Sequence, residues 1–154
     1  MIVPANWEAV VYVSTHMRED DFNEVMALRW DDSPYSFAAE HMRLPGPKYA
    51  ALADDGTPVA IGGIASHQPG IGQAWLVCTD RVDECSVEIA LADKEGIELF
   101  MATPGCHRIH AYSLATHTRA HRWMEMLGMH EEARLAKYGK RGEDFILFSI
   151  LRED

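Results

Sequence analysis

The sequence is short of basic residues. Against 24 Asp and Glu it carries 14 Lys and Arg, which leaves a formal charge of −10 over 154 residues. The phosphate attraction behind nucleic-acid binding therefore has no general source, and the basic side chains are scattered rather than grouped. No nucleic-acid partner is expected; a basic or amine-bearing partner suits this field better. Cysteine is scarce as well. Cys78, Cys85 and Cys106 are odd in number and lack CxxC spacing, which excludes a disulfide frame and a zinc knuckle and points to a reducing compartment. No apolar run approaches the roughly 18 residues of a membrane span, and no basic segment opens the N-terminus, so the reading is of a cytoplasmic protein without a membrane partner. Low-complexity tracts and repeats at solenoid spacing are missing too.

What remains has an ordinary globular balance, with 47% apolar and 25% charged residues, in a chain of a length that suits one domain over 1–154. Ala9 to Ser14 (AVVYVS) is β-branched and aromatic and reads as a strand. The stretch after it carries Phe22, Val25, Met26 and Leu28 at helical spacing. Ser33 as a cap, Pro34 at the first helical position and a Pro45-Gly46-Pro47 break bound a second short helix. Next come strand, an Asp55-Gly56 turn, strand, a Gly70–Gly72 turn and the strand GQAWLVCT, an antiparallel meander. A helix follows with Val87, Leu91, Ile97, Leu99 and Phe100, weakened by Gly96 and closed by Pro104-Gly105. HRIHAYSLA is a strand, and HEEARLAKYG with EDFILFSIL reads as a closing hairpin. Within the meander, Gly62-Gly63 is a bulge or a close approach of another backbone, since no helix follows to make it a phosphate loop.

Between the last strands lies THTRAHRWMEMLGMH, Thr116 to His130. Ala120, Trp123, Met124 and Leu127 recur at i, i+3, i+4 and i+7, a buried helical face. Thr116 is the expected N-cap, and Gly128 the left-handed residue that ends the helix. His117 stands seven positions before Met124 and so points the same way, in the first turn where free N–H groups favour polar ligand atoms.

The element order, with the run S-x-x-x-H-x-x-A-x-x-W-M-E-M-L-G-M from Ser113, resembles the GNAT N-acetyltransferase superfamily. The common form there is V-x-x-x-N-x-x-A-x-x-L-Y-E-K-L-G-F, followed by a hairpin with a late Asp, here Asp144. Gly72-Gln-Ala-Trp-Leu-Val-Cys-Thr79 after a G-G-I-A strand is also similar to a short phage-encoded GNAT-like family with members labelled internal virion protein A. The resemblance implies an α/β (α+β) fold, a mostly antiparallel twisted sheet of about seven strands flanked by about four helices. It implies acetyl-CoA as cosubstrate and an amine, on a small molecule or a host protein, as acceptor by direct attack. It allows a homodimer, and the host cytoplasm if the chain is phage-encoded. The other class of reading is a GNAT-shaped protein that binds and modulates a host enzyme with weak catalysis or none.

In the family, acetyl-CoA enters where the strand ending in Val77-Cys78-Thr79 splays from the strand His107 to Ser113, and a backbone N–H near Cys78 would hold the oxyanion. The glycine-rich phosphate turn R-x-x-G-x-G is replaced here by Arg81 to Glu88, with no glycine and with Asp83, Glu84 and Glu88 in place. Arg81 and Ser86 are left to hold the phosphates, with His117 and Ala120 on the cofactor side of the helix. The family's tyrosine, which reprotonates the leaving thiolate, becomes Met124, and methionine donates no proton. His117, in the place of the family's asparagine, is either a ligand-facing hydrogen-bonder and replacement acid or a cap-proximal histidine satisfied by the protein. His110 and Tyr112 flank the acetyl group or simply mark a polar strand face. Glu40 is a base acting through water or part of a solvated helix face. Cys78 is an acyl carrier or a small buried residue; Asp80 nearby argues for the latter. His117 and His121 at i, i+4 have no accompanying carboxylate motif, so no metal site is expected.

Overall fold

The computed structural model describes residues 1–153. The elements run β1 (Ile2–Pro4), α1 (Trp7–Thr15), α2 (Glu19–Ala27), α3 (Pro34–Arg43), β2 (Lys48–Leu52), β3 (Pro58–Gln68), β4 (Ile71–Cys78), α4 (Ser86–Ala102), β5 (Arg108–Leu114), α5 (Thr118–Met126), β6 (His130–Leu135) and β7 (Phe145–Leu151). Seven strands form one sheet in the order β1-β2-β3-β4-β5-β7-β6. Every neighbouring pair is antiparallel except β4 and β5. The expected α/β class and mostly antiparallel sheet are found, with five helices where about four were expected.

One element is corrected. Ala9 to Ser14 is not a strand but the body of α1. The Ala9 N–H donates to Asn6 Oδ1 at 2.9 Å, a helix cap, and Ala9, Val10, Val13 and Ser14 turn inward with the spacing of a helix face. Those side chains pack with Phe37 and Ala38 of α3 onto Ala50, Ile61 and Val77, so burial on one face overrides the β-branched composition. The strand missing from that place is β1, whose three residues pair with Tyr49–Ala51 of β2.

Helices α1 and α3 cover one face of the sheet, and α4 and α5 the other. In α4 the inward stripe is Ile89, Ile97 and Phe100, packed on Ala60, Cys78, Ile64 and Ala111. Val87, Leu91 and Leu99, on the other side of the helix, are exposed. The closing helix ends as expected: Gly128 takes φ +92°, and the Met129 N–H folds back to Met124 O at 3.0 Å. Its start differs. His117, not Thr116, occupies the N-cap position, and its side chain makes no capping bond there.

Gly62 and Gly63 serve the close backbone approach expected of them, since a side chain at Gly63 would meet Pro47 O at 2.5 Å and one at Gly62 would meet Trp75 O at 3.1 Å. Gly62 lies opposite Tyr49 in the ladder, and a side chain at Gly62 would come within 3.0 Å of Tyr49 Oη; one at Gly63 would come within 3.3 Å of Trp75 Nε1. The missing side chains let two aromatic rings lie across β3.

Candidate functional site

β4 and β5 pair only over Ile71–Gln73 and Arg108–His110, then separate. Parallel neighbours that part in this way leave unpaired backbone groups inside the sheet, and those groups need other partners. α2 supplies them. The Cys78 N–H donates to Asp21 Oδ2 at 2.7 Å, and the Leu114 N–H donates to Glu24 Oε1 at 2.7 Å. The Arg18 N–H closes the set by donating to Cys78 O at 2.8 Å, while its guanidinium holds Asp21 Oδ1 at 2.8 Å. Two carboxylates one helical turn apart thus bridge the tips of the splayed strands. The expected oxyanion donor at Cys78 is engaged by Asp21.

His117 stands at this junction and is 4% exposed, so it is not a surface cap residue. Its Nδ1 lies 3.3 Å from Glu24 Oε2, and its Nε2 lies 3.7 Å from Asp21 Oδ1, beyond hydrogen-bond reach. Nε2 is buried and has no hydrogen-bond partner among the described residues. Burial pushes the imidazole pKa down, but the hydrogen bond and charge of Glu24, with Asp21 behind it, outweigh this and leave it raised. Asp21 is itself pushed up by burial, against the pull of Arg18 and the Cys78 N–H.

Beneath α4 and α5 the splay opens into a cavity of about 610 Å³. Cys78, Ser86, His117 and Ala120 line it, and Trp75, Phe100, Trp123 and Met124 make its apolar walls. Val77, Thr79 and Arg81 do not line it; Val77 packs on the α1/α3 face. Met124 is a core residue, 8% exposed. The Cys78 thiol is fully buried and pushed up, first by desolvation and then by Asp21, which makes it inert as an acyl carrier.

The phosphate end is arranged differently from an anion cradle. A single 3₁₀ turn, Val82–Cys85, precedes α4, and the N–H groups of Arg81, Val82 and Glu84 are taken by Thr79 Oγ1, Thr79 O and Arg81 O. Arg81 is held by Glu84 Oε2 at 2.5 Å and Asp55 Oδ2 at 3.1 Å. Asp83 is paired with Arg119. The apolar cavity fits the neutral pantetheine arm of acetyl-CoA; the turn at Arg81 does not fit its diphosphate.

Two expected catalytic residues are not brought to the cavity. Glu40 forms a two-point ion pair with Arg29, at 2.5 and 3.2 Å, which lowers its pKa and weakens it as a base. His110 Nδ1 accepts from Arg108 Nε at 3.1 Å, and burial, with Arg108 behind it, lowers the pKa of the ring. A neutral ring with Nδ1 accepting carries its proton on Nε2 and has no free lone pair for catalysis. His121 donates through Nε2 to Leu114 O at 2.8 Å, apart from His117, and no group of three or more His, Cys, Asp or Glu among the described residues is placed to hold a metal. A second cavity of about 780 Å³ lies between α2, the end of β5 and the β6–β7 loop. Asp144 stands there, accepting the Lys137 N–H at 2.9 Å and pairing with Arg134.

Glu24 and Asp21 escaped sequence reasoning because they lie 90 and 57 residues from the N–H groups they hold. The trace they leave in the sequence is an acidic pair at i, i+3 on a helix that otherwise looks like surface.

The architecture has solved counterparts. A GNAT-family acetyltransferase from Bacillus anthracis superposes with a TM-score of 0.72 at 18% identity, over 99% of this chain and 95% of the other. This is the GNAT fold. A GNAT superfamily phosphinothricin acetyltransferase from Sinorhizobium meliloti, in complex with acetyl-CoA, gives 0.75 at 13% identity over 98% and 87%. A spermidine N-acetyltransferase from Vibrio cholerae gives 0.70 at 10% over 98% and 94%. No protein-family model and no curated protein sequence matches the chain. Within this fold the turn at Arg81 carries no glycine, Met124 stands in the closing helix, and the α2 carboxylates Asp21 and Glu24 hold the splay. No helix among the described residues is long and apolar enough to cross a membrane.

Proposed function

We propose that the chain is one GNAT domain over 1–154 that transfers acetyl from acetyl-CoA to an amine. The observation that carries this reading is the β4/β5 splay opening into the apolar cavity, in a fold whose solved counterparts are acetyltransferases. Acetyl-CoA would supply the activated acyl group as a thioester. Cys78, Ser86, Ala120 and His117 would line the path of its arm, and the apolar walls would exclude water from the reacting centre. His117 is the acid in this reading. Glu24 holds Nδ1 and favours the imidazolium, so in this reading Nε2, buried and without a partner in the free chain, would carry the proton for the leaving group, where Met124 has none to offer. Direct attack by the amine requires no protein nucleophile, in keeping with the inert Cys78 thiol.

One observation favours a second reading, a GNAT-shaped binding protein of the phage-encoded kind that grips a host enzyme with weak catalysis or none. Asp21 and Glu24 occupy the two strand-tip donors, and Arg81 is sequestered by Asp55 and Glu84. Calorimetric titration with acetyl-CoA, followed by CoA release against a panel of amines, separates the two. Saturable binding with amine-dependent release supports the transferase. Absence of both at millimolar acetyl-CoA overturns it in favour of the binder.

A further inference from the structure

A carboxylate stands in the cavity without a cation. Asp93, on the inward side of α4, accepts from Tyr49 Oη at 2.6 Å through Oδ1 and from Trp123 Nε1 at 3.0 Å through Oδ2. Indole N–H only donates, and both carboxylate oxygens accept, which is the pattern of the ionised form. No Lys, Arg or His among the described residues pairs with Asp93. Of the other acids on the cavity wall, Asp21 pairs with Arg18, Asp83 with Arg119 and Glu24 with His117, while Glu95, which has no ion-pair partner among the described residues, is exposed to solvent. Burial raises the Asp93 pKa, with the Tyr49 and Trp123 hydrogen bonds opposing it. A half-buried carboxylate held by two neutral donors costs free energy that a cation would offset.

The surroundings select the kind of cation. Tyr49, Trp123, Trp75 and Phe100 line the same cavity, and the absence of a side chain at Gly62 is what lets the Tyr49 ring reach across the sheet. Aromatic faces attract an ammonium group and also pack against an apolar body. We propose that the cavity binds a small ammonium compound with an apolar or aromatic body, its nitrogen on Asp93 between Tyr49 and Trp123. The site is distinct from the His117 junction: Trp123 stands six residues further along the chain than His117, a rise of roughly 9 Å along a helix. The inference concerns binding alone and stands whether or not acetyl transfer occurs.

The test is calorimetric titration of the full chain with 2-phenylethylamine in the absence of acetyl-CoA, beside 2-phenylethanol as a neutral analogue of the same shape. Saturable amine binding at least tenfold tighter than that of the alcohol is expected. Asp93→Asn keeps an acceptor for Tyr49 or Trp123 but removes the charge, and should weaken amine binding at least tenfold while leaving alcohol binding unchanged. If that variant does not fold, Tyr49→Phe in its place should weaken amine binding severalfold. No saturable amine binding by the wild type, equal affinity for amine and alcohol, or undiminished amine affinity in the variant overturns the proposal and leaves Asp93 as a structural pin between α4, β2 and α5.

Discussion

The Cys78 N–H and the Asp21 carboxylate lie 2.7 Å apart, although 57 residues separate them, and that bond ties α2 to the tip of β4. Asp21 also holds Arg18, which is itself largely buried, so the carboxylate satisfies a backbone donor and a cation together. Asp21→Ala would leave both without a partner and should destabilise the fold by about 3–5 kcal/mol. Asp21→Asn keeps an acceptor for Cys78 and should cost less than half as much. Urea unfolding of the two variants checks this order; equal losses would mean that the backbone bond contributes nothing separable.

The pairing of His117 with Glu24 makes stability depend on pH in a defined direction. Glu24 and Asp21 outweigh burial, so the folded pKa lies above the unfolded value of about 6.5. The stabilising contribution is therefore complete below that unfolded value and is lost as pH rises through the raised folded value. Relative to His117→Asn, which carries no titrating ring, the wild type should lose its stability advantage between about pH 6 and the raised pKa. If His117 is also the acid of the transfer step, turnover should fall over the same interval, and His117→Asn should bind acetyl-CoA yet turn over slowly. A stability difference that does not change with pH would remove the Glu24–His117 ion pair.

His41 behaves in the opposite sense. Its ring stacks on Phe37 at 3.7 Å between centroids and meets Trp75 edge-on, and burial lowers its pKa to about 4. A base depressed in the folded state contributes stability above its unfolded pKa of about 6.5, and the contribution disappears as pH falls towards about 4. His41→Gln retains a donor for the Phe37 carbonyl without the titrating ring. Between pH 6.5 and pH 4 the wild type should lose on the order of 2 kcal/mol more than this variant. Parallel stability curves would show that His41 charges without resistance.

Legibility in the sequence followed the range of the interactions. The meander, the closing hairpin and the end of α5 depend on turns and periodicities a few residues long, and Gly128 adopts the left-handed conformation expected of it. α1 was misread because Val10, Val11 and Val13 carry strand composition, while the cap at Asn6 and the inward face that decide the matter need the sheet beneath them. Helical spacing brought out α4 but not which of its two apolar stripes faces inward; the sheet takes Ile89, Ile97 and Phe100 and leaves Val87, Leu91 and Leu99 outside. At the site, Cys78, Ser86, His117 and Ala120 were legible from the resemblance and do line one cavity. Glu24, Asp21, Asp93 and Tyr49 were not, because each acts through a partner tens of residues away.

The turn before α4 offers the sharpest test of whether the chain receives an anionic cosubstrate there. Arg81 is the cation of that turn nearest the expected phosphate position, and Glu84 and Asp55 both hold its guanidinium. Glu84 and Glu88, in and just after the turn, add negative charge where a diphosphate would approach. Glu84→Gln with Glu88→Gln removes two charges and one of the two grips on Arg81, without touching the cavity walls that receive the acyl arm. Both positions are exposed, so the unfolding midpoint should barely move. Acetyl-CoA affinity should rise roughly three- to tenfold at low ionic strength, and the gain should shrink towards nothing at about 0.5 M salt, since exposed charges are screened there over a few ångströms. Acetylpantetheine, which lacks the diphosphate, should gain nothing from the substitutions, whereas acetyl-dephospho-CoA, which keeps it, should gain as acetyl-CoA does, which makes the effect specific to the diphosphate. Should the double variant bind acetyl-CoA with unchanged affinity at low salt, the diphosphate does not lie at the N-terminus of α4, and the proposed course of the cofactor through the cavity is wrong.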